Sequence, residues 1–274
     1  MSLLSPESLS VFIGPTALVA VRWRGLRAQV ADKRIFEVPH APGAAWAGAA
    51  RAFADLLKEF AACQRVRVVL SGHFTTLQLL PWHDDLNDAH EEQAFAQLVF
   101  TQTYGEVAAL WQVRLSDAPP GHAKVAAGVD SDLLAALEQT AEATQARLVS
   151  IQPYFVSAVN HWRKHLARNG ASWVVLHEDG RLCLCLVEAG RWLWLRSVRA
   201  DHDWLKALPG LLDHEMLLAG RDSANAQVLL YSPTQPHATL PVSDHWSFQR
   251  LTLPAQHNFL PVTDGHFGLA LLGG

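Results

Sequence analysis

The chain is poor in the residues that would mark it for several common roles. Only 3 of its 274 residues are cysteine, so no disulfide framework can stand behind the fold. Cys183 and Cys185 sit one residue apart on a strand-like run, on one face, where neighbours seldom bridge; with Cys63 they read as reduced thiols of a cytoplasmic core. Uncharged apolar runs long enough to cross a membrane are missing. Met1–Ser10 has neither a basic nor an apolar leader segment, so no signal peptide is expected. Basic charge is also short. There are 22 Lys and Arg against 26 Asp and Glu, a net charge of -4, which argues against a general nucleic-acid binder with its basic stripe. Between Arg67 and Arg114 no Lys or Arg occurs, while Asp84, Asp85, Asp88, Glu91, Glu92 and Glu106 all do. That run reads either as a solvated helix face with its cap or as a docking face for a basic peptide.

What is present suits a folded domain. Half the residues are apolar, 18% are charged, and 10 tryptophans are scattered from Trp23 to Trp246 as core or half-buried anchors. Strands are predicted at Leu9–Ile13, Leu18–Trp23 and Gln29–Val38, then a helix over Ala44–Cys63 with one apolar stripe. Strands Arg65–Leu70 and Leu77–Pro81 precede a helix opened by Asp88 and Glu91, a capping-box spacing, with Phe95, Leu98 and Val99 on its buried side. Strands follow at Ala109–Leu115 and Lys124–Val129. Asp130 or Ser131 caps a third helix, Leu148–Ile151 is a strand, and Pro153 starts a fourth helix reaching Ala167. After the break at Asn169-Gly170 the three-strand opening recurs as Trp173–Leu176, Leu182–Val187 and Trp192–Val198. A helix over Asp203–Leu218, strands at Ala226–Tyr231 and Phe248–Leu253, and a helix at Phe267–Leu272 close the chain. Two structurally similar halves are therefore expected.

The segment Ile13-Gly14-Pro15-Thr16-Ala17-Leu18 joins two apolar strands through a tight turn. With it stand the strand Val66–Leu70, the run Leu77-Gln78-Leu79-Leu80-Pro81-Trp82, a helix opening on Glu91-Glu92, Ile151-Gln152-Pro153-Tyr154-Phe155, and the ending Gly268-Leu269-Ala270-Leu271. In this order they resemble the actin-like ATPase superfamily, and more narrowly PilM-type pilus assembly proteins and the cytoplasmic portion of GspL-type secretion proteins. The resemblance implies an α/β actin-like (RNase H-like) duplicated fold, two lobes with a small α/β insertion in the first. Residues 1–82 with 152–168 would form the first subdomain, 83–151 the insertion and 169–274 the second subdomain.

Members of that superfamily that bind ATP hold it with two phosphate loops and an adenosine loop. Here Phe12 stands at the first Asp position and Val19 at the Lys, around Gly14, Pro15 and Thr16. His177 stands at the second Asp, before Asp179 and Gly180, and Ser232-Pro233-Thr234 replaces a Gly-Gly pair. A magnesium nucleotide without counter-charges is costly to bury. The resemblance thus implies a pseudo-ATPase with no cofactor, ATP and magnesium being disfavoured. It implies a cytoplasmic scaffold, peripheral to the inner membrane, in a type IV pilus or type II secretion assembly platform. The partner implied is the cytoplasmic N-terminal tail of a single-span PilN-like protein, met by Asp84, Asp85, Asp88, Glu91 and Glu92. An assembly ATPase or platform protein as second partner, and a homodimer, stay open.

Other readings compete. A divergent ATPase or sugar kinase would draw its metal ligands from Asp179, Glu178 and Asp32. A self-polymerising filament of the same fold is a third reading. His161 and His165 have zinc-pair spacing, but Trp162 stands where a zincin needs Glu, so a solvated helix face is the simpler account. Cys183 and Cys185 with His177 would be a metal set, or small core residues. Asp201-His202-Asp203 reads as a helix cap, and Ser71-Gly72-His73 lacks the glycines of a nucleophile elbow. No catalytic residue and no metal ligand is assigned.

Overall fold

The computed structural model describes residues 7–25, 28–86, 88–164, 166, 171–221 and 227–273. They fall into two compact units: residues 1–75, 129–161 and 253–274 form one, and 76–128 with 162–252 the other.

In the first unit, β1 (Glu7–Ile13) is buried on both faces over most of its length and takes the centre of a five-stranded sheet. A strand covered on both sides reads as a continuous apolar run, which is what Leu9–Ile13 nearly is. β2 (Ala17–Arg24) pairs antiparallel with it, and β3 (Gln29–Glu37) pairs antiparallel with β2. On the other side come β4 (Arg65–Leu70) and β8 (Arg147–Pro153), both parallel, giving the order β3-β2-β1-β4-β8. The polar, half-exposed β3 suits the sheet edge. Helices α1 (Ala47–Glu59) and α3 (Ser131–Ala143) set Phe53, Leu56, Leu133 and Leu137 on one face of the sheet. Asp130 ties them together: one carboxylate oxygen accepts from the Asp132 amide at 2.8 Å, and the other from Trp46 Nε1 at 2.9 Å.

The second unit repeats the topology. β9 (Ala171–Glu178), β10 (Arg181–Glu188) and β11 (Arg191–Arg199) make an antiparallel meander. β12 (Gln227–Tyr231) and β13 (Ser247–Arg250) add parallel strands in the order β11-β10-β9-β12-β13. The restart predicted after residue 170 is therefore a repeat of strand order. Ala189 (φ 49°) and Gly190 (φ 77°) form the two-residue turn into β11, the left-handed pair that matches hairpin twist. α5 (Trp204–Leu218) lays Trp204, Leu208, Leu212 and Met216 on this sheet at helical spacing.

The same unit holds a small three-stranded sheet, β5 (Thr75–Leu80), β7 (Lys124–Asp130) and β6 (Trp111–Leu115), in the order β5-β7-β6. α2 (Ala89–Tyr104) covers it with Ala96 and Phe100. Gly128 is required there: a Cβ would lie 2.6 Å from Phe100 and 3.1 Å from Trp111.

Several predicted boundaries move. Leu98 is 52% exposed rather than buried, because Ala96 and Phe100 carry the inward stripe of α2. The predicted strand at Ala109 begins only at Trp111, after a 3-10 turn over Glu106–Leu110. Pro153 ends β8 instead of starting a helix, and α4 runs Tyr154–Trp162. β8 lies beside β4 in the first sheet rather than in the inserted segment. Asp203 makes no capping bond to α5. The strand predicted over Phe248–Leu253 is only Ser247–Arg250, and the closing helix, α6, only Gly268–Leu271. His165, Ala167, the Asn169-Gly170 break and Ala226 lie outside the described residues.

Candidate functional site

Hairpin geometry makes Phe12 and Val19 direct cross-strand partners, so the two positions where the resemblance expects Asp and Lys share one face of the sheet. Both are buried, at 5% and 4% exposure. The Phe12 ring meets Tyr154 edge-on, with centroids 6.0 Å apart, and also lies over the turn, since a Cβ on Gly14 would stand 3.0 Å from it. Two of the turn amides are unavailable to a phosphate. Gly14 N–H donates to the Ala17 carbonyl at 3.0 Å, and Pro15 has no N–H. A phosphate cradle consists of free, converging amides with a counter-ion, and Phe12, Gly14, Pro15, Thr16 and Val19 supply no charge. The strand positions flanking the turn are packed and apolar, while Pro15 and Thr16 at its tip are exposed.

The corresponding turn of the second sheet, Asp179-Gly180, follows His177 at the end of β9. His177 is 2% exposed and lies flat against the Trp204 indole, ring centroids 4.3 Å apart and planes 14° from parallel. Its Nδ1 is 3.0 Å from Ser232 Oγ, itself buried just beyond β12. Burial lowers the imidazole pKa to about 4, against the opposing pull of the Asp179 carboxylate, so the ring is neutral at neutral pH. Two positions where the resemblance expects nucleotide contacts, His177 and Ser232, are thus hydrogen-bonded to each other. Sequence reading placed each of them separately. It missed the bond because the partners are 55 residues apart and meet only through the β9–β12 pairing.

Of the alternative metal ligands, Asp32 stands away from the first turn, and Glu178 and Asp179 flank the second. Asp32 sits on β3 opposite Arg22, five residues along β2 from Ala17, about 17 Å at the usual strand rise. Glu178 is buried and Asp179 exposed. Cys183 and Cys185 occupy the face of β10 opposite Leu182, Leu184 and Leu186, whereas His177 pairs with Leu182 and shares its side. The two thiols and the imidazole are therefore on opposite faces. All three thiols are buried and free, and burial pushes each of them up, that of Cys63 to about 11. Among the described residues no group of three or more His, Cys, Asp or Glu could hold a metal ion, and no helix is long and apolar enough to cross a membrane.

The acidic run is gathered around the start of α2. Asp88 caps the helix, accepting from the amides of His90 at 2.8 Å and Glu91 at 2.9 Å. Those bonds hold its carboxyl below the usual range. Glu92 reaches down to Lys124 Nζ with both oxygens at 2.6 Å, and Asp84 accepts from Trp82 Nε1 at 2.7 Å. Asp84, Asp85, Asp88 and Glu91 are exposed; Glu92 is half-buried. Sequence reading missed a buried charge elsewhere. Glu215 is 1% exposed, accepting from Trp194 Nε1 at 2.8 Å and from Arg196 at 3.0 Å.

No protein-family model matches the sequence, and no curated protein matches it. Solved structures do match in fold. The cytoplasmic domain of EpsL, an inner membrane component of the type II secretion system of Vibrio cholerae, aligns with a TM-score of 0.61 at 12% identity, over 97% of this chain and 94% of that one. A Bacteroides thetaiotaomicron protein with an actin-like ATPase fold and unknown function aligns at 0.60 and 12% identity, over 90% and 91%. The PilM–PilN type IV pilus biogenesis complex aligns at 0.55 and 14% identity, over 81% of each chain. The chain has the actin-like ATPase fold.

Proposed function

We propose that this protein is a non-catalytic adaptor of an inner-membrane assembly platform, of the type IV pilus or type II secretion kind, that holds the cytoplasmic tail of a single-span membrane protein. The observation that carries the reading is the pair of turns. An actin-like fold retains both hairpins, while apolar Phe12 and Val19 and a neutral His177, hydrogen-bonded to Ser232, stand where the resemblance expects ionic groups. A fold kept without its charges is best explained by its shape, which is what a scaffold uses. The neighbours EpsL and PilM–PilN belong to such assemblies, and that supports the choice of system.

The acidic start of α2 gives the adaptor a face for a basic tail, where long-range attraction steers encounter more than it adds affinity. The test is capture of cytoplasmic tails of single-span inner-membrane proteins encoded beside this gene. Binding in the tens of micromolar or tighter, weakened by salt, is expected. Absence of binding to any such tail at that concentration contradicts the adaptor reading.

A further inference from the structure

The edge of the first sheet carries positive charge that nothing in the fold balances. Val66, Val68 and Leu148 pack into the core with α1 and α3, so Arg65, Arg67 and Arg147 alternate onto the opposite face. Arg65 and Arg147 stand side by side on the parallel strands β4 and β8, both exposed, and Arg67 is half-buried further along β4. Like charges so placed repel each other. No carboxylate relieves them. Among the described residues none of the three makes an ion pair, and Glu7, on the adjoining β1, is shared by Arg22 at 3.3 Å and Arg24 at 3.7 Å. In a chain with fewer Lys and Arg than Asp and Glu, this cluster does not follow from an excess of basic residues. The backbone beside it is also available. β8 is the last strand of its sheet, and no hydrogen bond from the described residues reaches its outer side. The Arg147 amide turns inward to the Gln64 carbonyl at 2.7 Å, so the N–H and C=O of Leu148 point outward. A register shift next to it leaves Val149 37% exposed.

We propose that β8 accepts an added strand from an acidic linear segment of a protein partner, whose Glu or Asp side chains lie over Arg147 and Arg65. The free edge supplies main-chain hydrogen bonds, which any extended segment could use. The arginines supply the choice. They repel a basic segment, leave an uncharged one without a counter-charge, and hold carboxylates through two parallel N–H donors. Val149 offers the same segment an apolar contact between the charges. An edge guarded by charge is protected against indiscriminate pairing, and here that guard admits one class of strand. This surface belongs to the first unit and takes a partner of opposite charge to the one proposed for α2 of the second. It therefore stands or falls separately from the adaptor reading.

The test uses the full chain and three short labelled peptides, followed by fluorescence anisotropy. One alternates glutamate with valine, one alternates lysine with valine, and the third is the glutamate peptide with every second amide N-methylated so that it cannot pair as a strand. The glutamate peptide is expected to bind at least about tenfold more tightly than either of the others, and to weaken as salt rises. Arg65→Gln with Arg147→Gln, both at exposed positions, should bring it down to the level of the lysine peptide. Amide shift changes on adding the glutamate peptide to the wild type should centre on residues 65–67 and 147–152, a result that needs no variant. Equal binding of the glutamate and lysine peptides, no binding of any, or shifts centred elsewhere overturns the proposal. Undiminished binding of the N-methylated peptide overturns the strand pairing, and capture of anionic lipid vesicles without capture of the glutamate peptide overturns the choice of a protein partner.

Discussion

Replacing Glu215 with alanine is expected to destabilise the second unit by about 2–3 kcal/mol, measured by chemical denaturation at neutral pH. The carboxylate is almost fully enclosed and divides its two oxygens between the Trp194 indole N–H and the Arg196 guanidinium. Removing it leaves the donor on Trp194 without an acceptor and deprives Arg196 of its counter-charge at the sheet surface. Both partners lie on β11, the edge strand, so the pair also fastens that strand to α5. Glu215→Gln keeps an acceptor and removes the charge, and should lose about half as much. A loss below about 1 kcal/mol in Glu215→Ala would mean that the pair is as dispensable as an exposed salt bridge.

A pH titration of stability should give an effect of similar size. His177 has a folded pKa of about 4 against 6.5 for the free side chain. Above pH 6.5 the ring is neutral in both states, and its contribution is fully present. Between 6.5 and 4 the unfolded chain takes up a proton that the folded chain refuses, so stability falls as pH falls. The loss across that window approaches about 3 kcal/mol, and below pH 4 both states are protonated. His177→Asn retains a hydrogen-bonding group for Ser232 but cannot titrate, and its stability curve should be flatter over the same window. Parallel curves for wild type and His177→Asn would refute the neutral, enclosed imidazole.

Much of the fold was legible because it rests on local patterns. The apolar run Val66–Leu70 is a buried parallel strand, the turns Asp179-Gly180 and Ala189-Gly190 close hairpins, and Asp88 and Asp130 cap helices. These signals need only a few neighbouring residues. Errors arose where tertiary contacts decide. Leu98 looks inward by apolarity, but Ala96 and Phe100 meet the small sheet. Pro153 looks like a helix start because its fixed φ suits one, yet it is the last residue of β8, at the edge of the sheet where a missing N–H is tolerated, and α4 starts only at Tyr154. At the candidate site, single positions such as Phe12, Val19 and His177 could be identified against a family pattern. The His177–Ser232 bond, the Trp204 stack and the burial of Glu215 could not, since each joins strands or helices far apart in sequence.

The central claim is that the hairpins no longer carry nucleotide chemistry. Calorimetric titration of the full chain with ATP and magnesium tests it most directly. With an aromatic ring over the first turn and a neutral imidazole locked at the second, no saturable heat is predicted up to millimolar nucleotide. Saturable binding tighter than about 100 µM, or about 5 kcal/mol of affinity, would contradict the account and restore an ATP-binding protein.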